Sequence, residues 1–195
     1  MKKPKQLWLL AGGNGAGKST FYRTQLEPLG LPFINADILA KQLFSEQAEQ
    51  HSYEAARIAE TMRLELLQQG RTFCFETVFS HPSKIDFVAQ AKTMGYEIVL
   101  VFIHLDQISL NQARISQRVS EGGHNVPEDK VKSRIPRTLQ NIKQVLPLCN
   151  RCYFLDNSRL DNPFQQIAEI QNGKLAVKAE PLPQWAETML FDYLN

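Results

Sequence analysis

Short apolar runs recur along the chain, at residues 7–11, 31–35, 73–75, 98–104 and 152–155. Three of them are nearly continuous rather than alternating, the pattern of strands buried on both faces. Between the runs the apolar period lengthens. Residues 52–69 place Ala56, Ala59, Met62, Leu66 and Leu67 on one helical stripe, and Gly70 follows as a stop signal. Residues 82–94 open with a proline in the first turn and close before Gly95. Residues 19–26, 38–44, 110–121 and 128–146 are further helical candidates, and Pro136 is expected to kink or break the last of them. Strand–helix alternation of this kind predicts an α/β fold with a parallel sheet and helices on both faces. The tail reads differently. Residues 164–170 and 174–178 flank Asn172-Gly173, which predicts a hairpin, and Pro181 and Pro183 lead to a terminal helix near residues 185–193. The expected organisation is one domain over residues 1–195, with the segment from about residue 160 added to it.

Composition narrows the class. The 195 residues are 43% apolar and 22% charged, which excludes disordered, collagen-like and coiled-coil chains. No run approaches the ~20 apolar residues that cross a bilayer. The apolar stretch at residues 7–11 is too short for a signal peptide, so a cytoplasmic protein is expected, without a membrane partner. Cys149 and Cys152 form a CxxC without the second pair or nearby histidine that zinc requires, and with Cys74 they read as reduced thiols. Net charge is +2, unevenly placed: five Lys/Arg against one acid in residues 1–30, and eight against four in residues 105–151. This is too mild for a dedicated nucleic-acid binder and suits two segments that meet a small polyanion.

One motif carries most of the chemistry. Residues 12–19, Gly-Gly-Asn-Gly-Ala-Gly-Lys-Ser, fit GxxxxGK[ST] fully, after one predicted strand and before a predicted helix. Glycines let the backbone curl so that successive N–H groups point inward at phosphate oxygens. The following helix turns its positive end toward the same anion. Gly13, Asn14, Gly15, Ala16, Gly17, Lys18, Ser19 and Thr20 are therefore the expected nucleotide-binding residues. Lys18 reaches the β- and γ-phosphates and Ser19 offers its hydroxyl to Mg²⁺, so ATP or GTP with Mg²⁺ is the expected ligand.

Two acids follow at predicted strand ends. Asp37 closes the second strand, where open α/β sheets place their ligand crevice. It could orient or deprotonate an attacking hydroxyl or hold Mg²⁺ through water, and it could equally cap the helix at residues 38–44. Glu76, followed by Thr77, closes the third strand. It could bind Mg²⁺ through water or grip a substrate hydroxyl, or it could pair with Arg71. Farther on, Arg114 and Arg118 share a helix face, Gly122-Gly123 break the pattern, and Lys130, Arg134 and Arg137 recur at helical spacing. Two basic helices around a glycine hinge, at about residues 110–140, suit a lid that brings guanidinium groups onto a transferring phosphoryl. Asp156-Asn157-Ser158 could contact a base or form an Asx turn.

The ordered set GGNGAGKST, FINADILA, FCFETVFS, QRVSEGGHNVPE with SRIPRTLQNI, and YFLDNS resembles the zeta toxin family of P-loop kinases over about residues 7–158. The resemblance implies a three-layer α/β/α kinase fold with a parallel five-stranded sheet in the order 2-3-1-4-5 and a helical lid. It also implies ATP-dependent phosphorylation of a hydroxyl on a small molecule, classically a UDP-activated amino sugar. By the same resemblance Lys18 and Ser19 are the Walker residues, Asp37 is the general base, and Glu76 is an acid on the substrate and metal side. Arg118 matches a lid arginine on the phosphates, whereas His124 stands near a position that the toxins fill with another arginine.

The expected protein is thus a kinase in which Lys18, Asp37, Arg118 and Arg134 (or Arg137) serve transfer. Asp37, Glu76, Thr77 and His124 face the substrate, and Ser19 and Glu76 serve the metal. Two rivals remain: a kinase of RNA or nucleic-acid ends, kept alive by Arg134 and Arg137, and a nucleotide-binding switch or toxin–antitoxin partner with little catalysis. The toxin resemblance adds an antitoxin-like protein as a conceivable partner.

Overall fold

The computed structural model describes residues 4–105, Arg114 and residues 127–194. All five expected strands form: β1 (Gln6–Gly12), β2 (Phe33–Ile34), β3 (Phe73–Thr77), β4 (Glu97–His104) and β5 (Arg151–Asp156). They lie parallel in the order β2-β3-β1-β4-β5, as the family resemblance implies. The sheet is larger than the expected five strands. β6 (Gln165–Gln171) pairs antiparallel with β5, and β7 (Lys174–Val177) pairs antiparallel with β6, which gives seven strands. The turn between β6 and β7 is Asn172-Gly173, both at positive φ (50° and 77°), the geometry of a two-residue hairpin turn. The predicted hairpin is therefore present, but it continues the main sheet because β5 would otherwise leave its backbone groups unpaired.

The helices are α1 (Lys18–Phe21), α2 (Ala36–Phe44), α3 (Ser52–Gln68), α4 (Ser83–Thr93), α5 (Glu128–Val145) and α6 (Gln184–Leu194). The helix expected at residues 19–26 is composite. After α1 the chain widens into a π-turn at Tyr22–Leu26 and tightens into a 3-10 turn at Glu27–Leu29, where Pro28 prevents continuation. Pro136 does not end α5: its ring sits on the exposed face, while Val131, Thr138, Ile142 and Val145 are buried. The buried stripe of α3 is also rotated from the expected one. It consists of Ala55, Ala59, Arg63 and Leu67, with Ala56 exposed.

Alternate residues of the central strands feed two cores. Leu7, Leu9 and Ala11 of β1 and Ile98, Leu100 and Phe102 of β4 pack with α3, α4, α5 and α6. Leu10, Val101 and Ile103 pack on the opposite face with Ala16, Leu26 and Leu155. Two buried polar side chains of α5 fasten the β3–α4 connection: Thr138 Oγ1 donates to Val78 O at 2.9 Å and Asn141 Nδ2 donates to Phe79 O at 2.9 Å. Phe79 is fully buried at a positive φ of 63°. The connection is thereby fixed beside the C-terminal ends of the strands, where the site lies.

The three thiols are buried and unbridged, as expected. Burial and the nearby Glu76 push the Cys74 thiol up, and the hydrogen bond to Cys149 together with burial does the same for Cys152. Among the described residues no cluster suits a metal ion held by His, Cys, Asp and Glu, and no helix is long and apolar enough to cross a membrane.

Two outcomes are expected from this packing. Asn141→Ala, which strips Phe79 O of a buried donor, lowers the unfolding free energy by about 1–3 kcal/mol in urea titrations. Cys74 and Cys152 resist a thiol reagent at neutral pH and react when the chain is unfolded in guanidinium, because only the exposed thiolate is a nucleophile.

Candidate functional site

The loop after β1 is built on glycine at two points of contact. A Cβ on Gly12 would stand 2.3 Å from Ile103 O, and one on Gly17, which has φ 94°, would stand 2.5 Å from Asn157 Nδ2. Gly17 in its left-handed conformation starts α1, and Phe21 N donates to Gly17 O at 2.9 Å. Ala16 N donates to Gly13 O at 3.2 Å and closes the loop. Asn157, buried after β5, fastens it from the side: its Nδ2 donates to Ala16 O at 2.9 Å and its Oδ1 accepts from Phe164 N at 3.3 Å. Asp156 Oδ1 accepts from Ser158 N at 2.7 Å, the Asx turn, and its Oδ2 accepts from Trp185 Nε1 at 3.0 Å.

Lys18 is only 6% exposed. Its ammonium donates to Gly12 O at 3.0 Å and Gly13 O at 2.9 Å, and lies 3.7 Å from Glu76 Oε1. The other oxygen of Glu76 accepts from Ser19 Oγ at 2.9 Å and from Asn35 Nδ2 at 2.7 Å. Glu76 therefore belongs to the phosphate loop, not to an ion pair with Arg71. Asn35 joins two tasks, since its Oδ1 also accepts from Asp37 N at 2.8 Å and Ile38 N at 3.1 Å as the cap of α2.

That assignment corrects the position of Asp37. β2 is only two residues long, and Asp37 stands neither at a strand end nor at a cap but in the first turn of α2. Its side chain is exposed and lines a cleft with Lys18, Glu76 and Asn14. Thr77 lines the same cleft, and its Oγ1 accepts from Phe79 N at 3.0 Å. Arg134 reaches across from α5, donating to Asn14 Oδ1 at 3.3 Å. Arg137 instead folds back on its own helix, to Ser133 O at 2.9 Å, and is exposed. Arg118 and His124, with most of the expected lid, lie outside the described residues.

Two clefts meet at Lys18 and Glu76. One, of about 450 Å³, runs from Gly15, Gly17, Ser19 and Thr20 toward Arg23, Arg114, Leu160 and Phe164. Arg114 is held there by a hydrogen bond from Nη2 to Asn157 O at 2.9 Å. The other, of about 280 Å³, is bounded by Asp37, Thr77, Arg63, His81, Lys84 and Arg134. Asn35, Arg63 and Lys84 were not legible as site residues, whereas Asn157, in the segment expected to contact a base or form an Asx turn, lines the first cleft. Asn35 did carry a signal, a cap-type residue just before a helical pattern. Arg63 carried none, because one basic residue in a helical stretch reads as solvated.

A Haemophilus influenzae protein described as uncharacterized is 31% identical over 137 residues, covering 67% of this chain and 97% of its own length. Among solved structures, a chain of the AvrRxo1-ORF1:-ORF2 complex with ATP superposes with a TM-score of 0.73 at 19% identity, covering 90% of this chain and 61% of that one. This chain thus spans about three fifths of that neighbour. A chain from the PezAT chromosomal toxin-antitoxin system of Streptococcus pneumoniae gives 0.67 at 16% identity, covering 86% and 73%. One from the Pnkp1/Rnl/Hen1 RNA repair complex gives 0.58 at 17%, covering 94% and 52%. At these identities the likeness is one of fold, and it is the P-loop kinase fold that the motifs imply. Residues 7–142 match the model of a family described as AAA domain, and the chain belongs to that family.

Proposed function

We propose that this chain is a cytoplasmic ATP-dependent kinase that moves the γ-phosphoryl group to a hydroxyl of a small molecule. The carrying observation is that two clefts converge on one buried lysine and one carboxylate. The larger cleft takes the nucleotide: phosphates lie on residues 13–20, and the base lies toward Leu160 and Phe164. The smaller takes the acceptor. A solved neighbour of the same fold was crystallised with ATP, which supports the choice of nucleotide.

Each residue then has a task. Lys18 exchanges its loop carbonyls for phosphate oxygens and, with Arg134 from α5, offsets charge on the transferring group. Asp37 takes the proton of the acceptor hydroxyl as its oxygen bonds to the γ-phosphorus and the bond to the bridging oxygen of ADP breaks. Ser19 Oγ and Glu76, adjacent oxygen groups 2.9 Å apart, are the residues that would hold Mg²⁺, and the ion would offset phosphate charge there. Arg118 is assigned to the phosphates by the basic lid pattern and the zeta toxin resemblance, and His124, near a toxin lid arginine position, to the substrate side; the resemblance also makes a UDP-amino sugar the first acceptor to test. The mild net charge of +2 favours a small molecule over an RNA end. An antitoxin-like protein partner rests on the same resemblance and on the fold shared with a toxin–antitoxin system.

The test is transfer of label from [γ-³²P]ATP to a UDP-amino sugar and to a small-molecule cell extract. Lys18→Met is expected to cut transfer by at least about 10³-fold. Asp37→Asn keeps ATP affinity and lowers turnover by about 10²–10⁴-fold. Near-normal turnover in Asp37→Asn would remove the base assignment. Label appearing only in RNA, with steeply salt-dependent binding, would replace the small-molecule reading. Hydrolysis that no added compound raises would favour a nucleotide-binding switch.

A further inference from the structure

Arg63 occupies an uncommon place for a cation. It lies on the buried stripe of α3 with Ala55, Ala59 and Leu67, and is 7% exposed. Its guanidinium sits over the rings of Phe75 at 5.2 Å and Phe87 at 5.6 Å. Its Nε is buried without a hydrogen-bond partner. Among the described residues no carboxylate forms an ion pair with it. Cation–π contact offsets part of the cost of burying such a group, but an uncompensated buried charge remains expensive.

A second cation stands beside it. Lys84, in the first turn of α4, is half-buried and lines the same cleft. Burial and the charge of Arg63 hold its ammonium below the usual lysine range. Glu60 opposes both shifts, yet it is exposed and screened by water, and it pairs with neither. The cleft as a whole sets Lys18, Arg63, Lys84 and Arg134 against Asp37 and Glu76. Lys18 and Glu76 are already engaged with one another, and Arg134 reaches Asn14. Arg63 on α3 and Lys84 on α4 thus line one cleft, Lys84 feels the charge of Arg63, and among the described residues neither forms an ion pair with a carboxylate.

We infer that Arg63 and Lys84 form an anchoring subsite for a compact oxyanion, phosphoryl or carboxylate, carried by the acceptor, which is therefore an anionic alcohol and not a neutral polyol. The inference deepens the kinase reading and rests on it for the identity of the cleft. The planar fork of Arg63 suits two oxygens of such a group, and the ammonium of Lys84 adds a mobile point charge. Anchoring there would hold the molecule while its hydroxyl meets Asp37, which lines the same cleft.

Calorimetric titration reads the subsite without turnover. Inorganic phosphate, and separately acetate, is added to the chain saturated with Mg²⁺ and a non-hydrolysable ATP analogue, so that the phosphate loop is filled. One anion per chain is expected, phosphate binding more tightly if the acceptor is phosphorylated and acetate if it is a carboxylate. Lys84→Met should weaken binding by about tenfold, and Arg63→Met by more. Circular dichroism checks each fold, and Lys84→Met decides if Arg63→Met does not fold. No binding to the saturated wild-type chain, or equal binding by Lys84→Met, overturns the subsite. In parallel, labelled ATP is offered to a small-molecule extract divided on an anion exchanger. Product from the retained fraction, with acceptor KM raised in Lys84→Met, supports the subsite, and product from the unretained neutral fraction overturns it. If no fraction is labelled but phosphate binding depends on Lys84, the kinase reading fails while the anion subsite stands.

Discussion

The contact between Lys18 and Glu76 organises this molecule. An ammonium 6% exposed and a carboxylate 11% exposed are each costly to enclose, and each is tolerated because the other is there. Hydrogen bonds to the pair come from four further places: Gly12 at the end of β1, Gly13 in the loop, Ser19 in α1 and Asn35 at the β2–α2 junction. Such a cluster closes only if β3 lies between β1 and β2, which is the observed order. Sheet topology and site chemistry are one constraint here, because Glu76 must stand beside the loop lysine and within reach of Asn35.

How much of this the sequence revealed depends on the range of the interactions. The strands were legible because continuous apolar runs report local burial, and the phosphate loop was legible because glycine spacing reports local backbone geometry. Asp37 lines a cleft with Lys18 and Glu76, but not from the strand end on which it was expected. The apolar run at residues 31–35 suggested a full strand, but only Phe33 and Ile34 pair with β3, and the helix starts two residues earlier than expected, under the cap of Asn35. The hairpin turn was legible and its attachment to β5 was not, since pairing between distant segments leaves no mark on either one. Pro136 was expected to kink or break its helix, and a break is what the structure excludes. A strong local rule against proline gave way to the packing of the buried face of α5.

Arg63 marks where pattern reading ends. Its spacing from Ala55, Ala59 and Leu67 is that of a core position, yet its chemistry argued for the surface, and chemistry prevailed in the choice of stripe. The aromatic rings of Phe75 and Phe87 that receive it come from β3 and α4 and are distant in sequence. Asn157 is similar: it follows β5, far along the chain from the loop, and holds the loop by reaching Ala16 O. Side chains that act across the sheet in this way are defined by the fold and carry little signal of their own.

The widening of the sheet by β6 and β7 bears on how the chain behaves among its neighbours. One margin of the sheet is β2, two residues long, and the other is β7, four residues long with an exposed lysine at its start and two prolines soon after its end. Margins this brief give a passing polypeptide little to extend, and lysine and proline discourage it further. The longer, apolar inner strands are thereby kept away from the sheet's open margins.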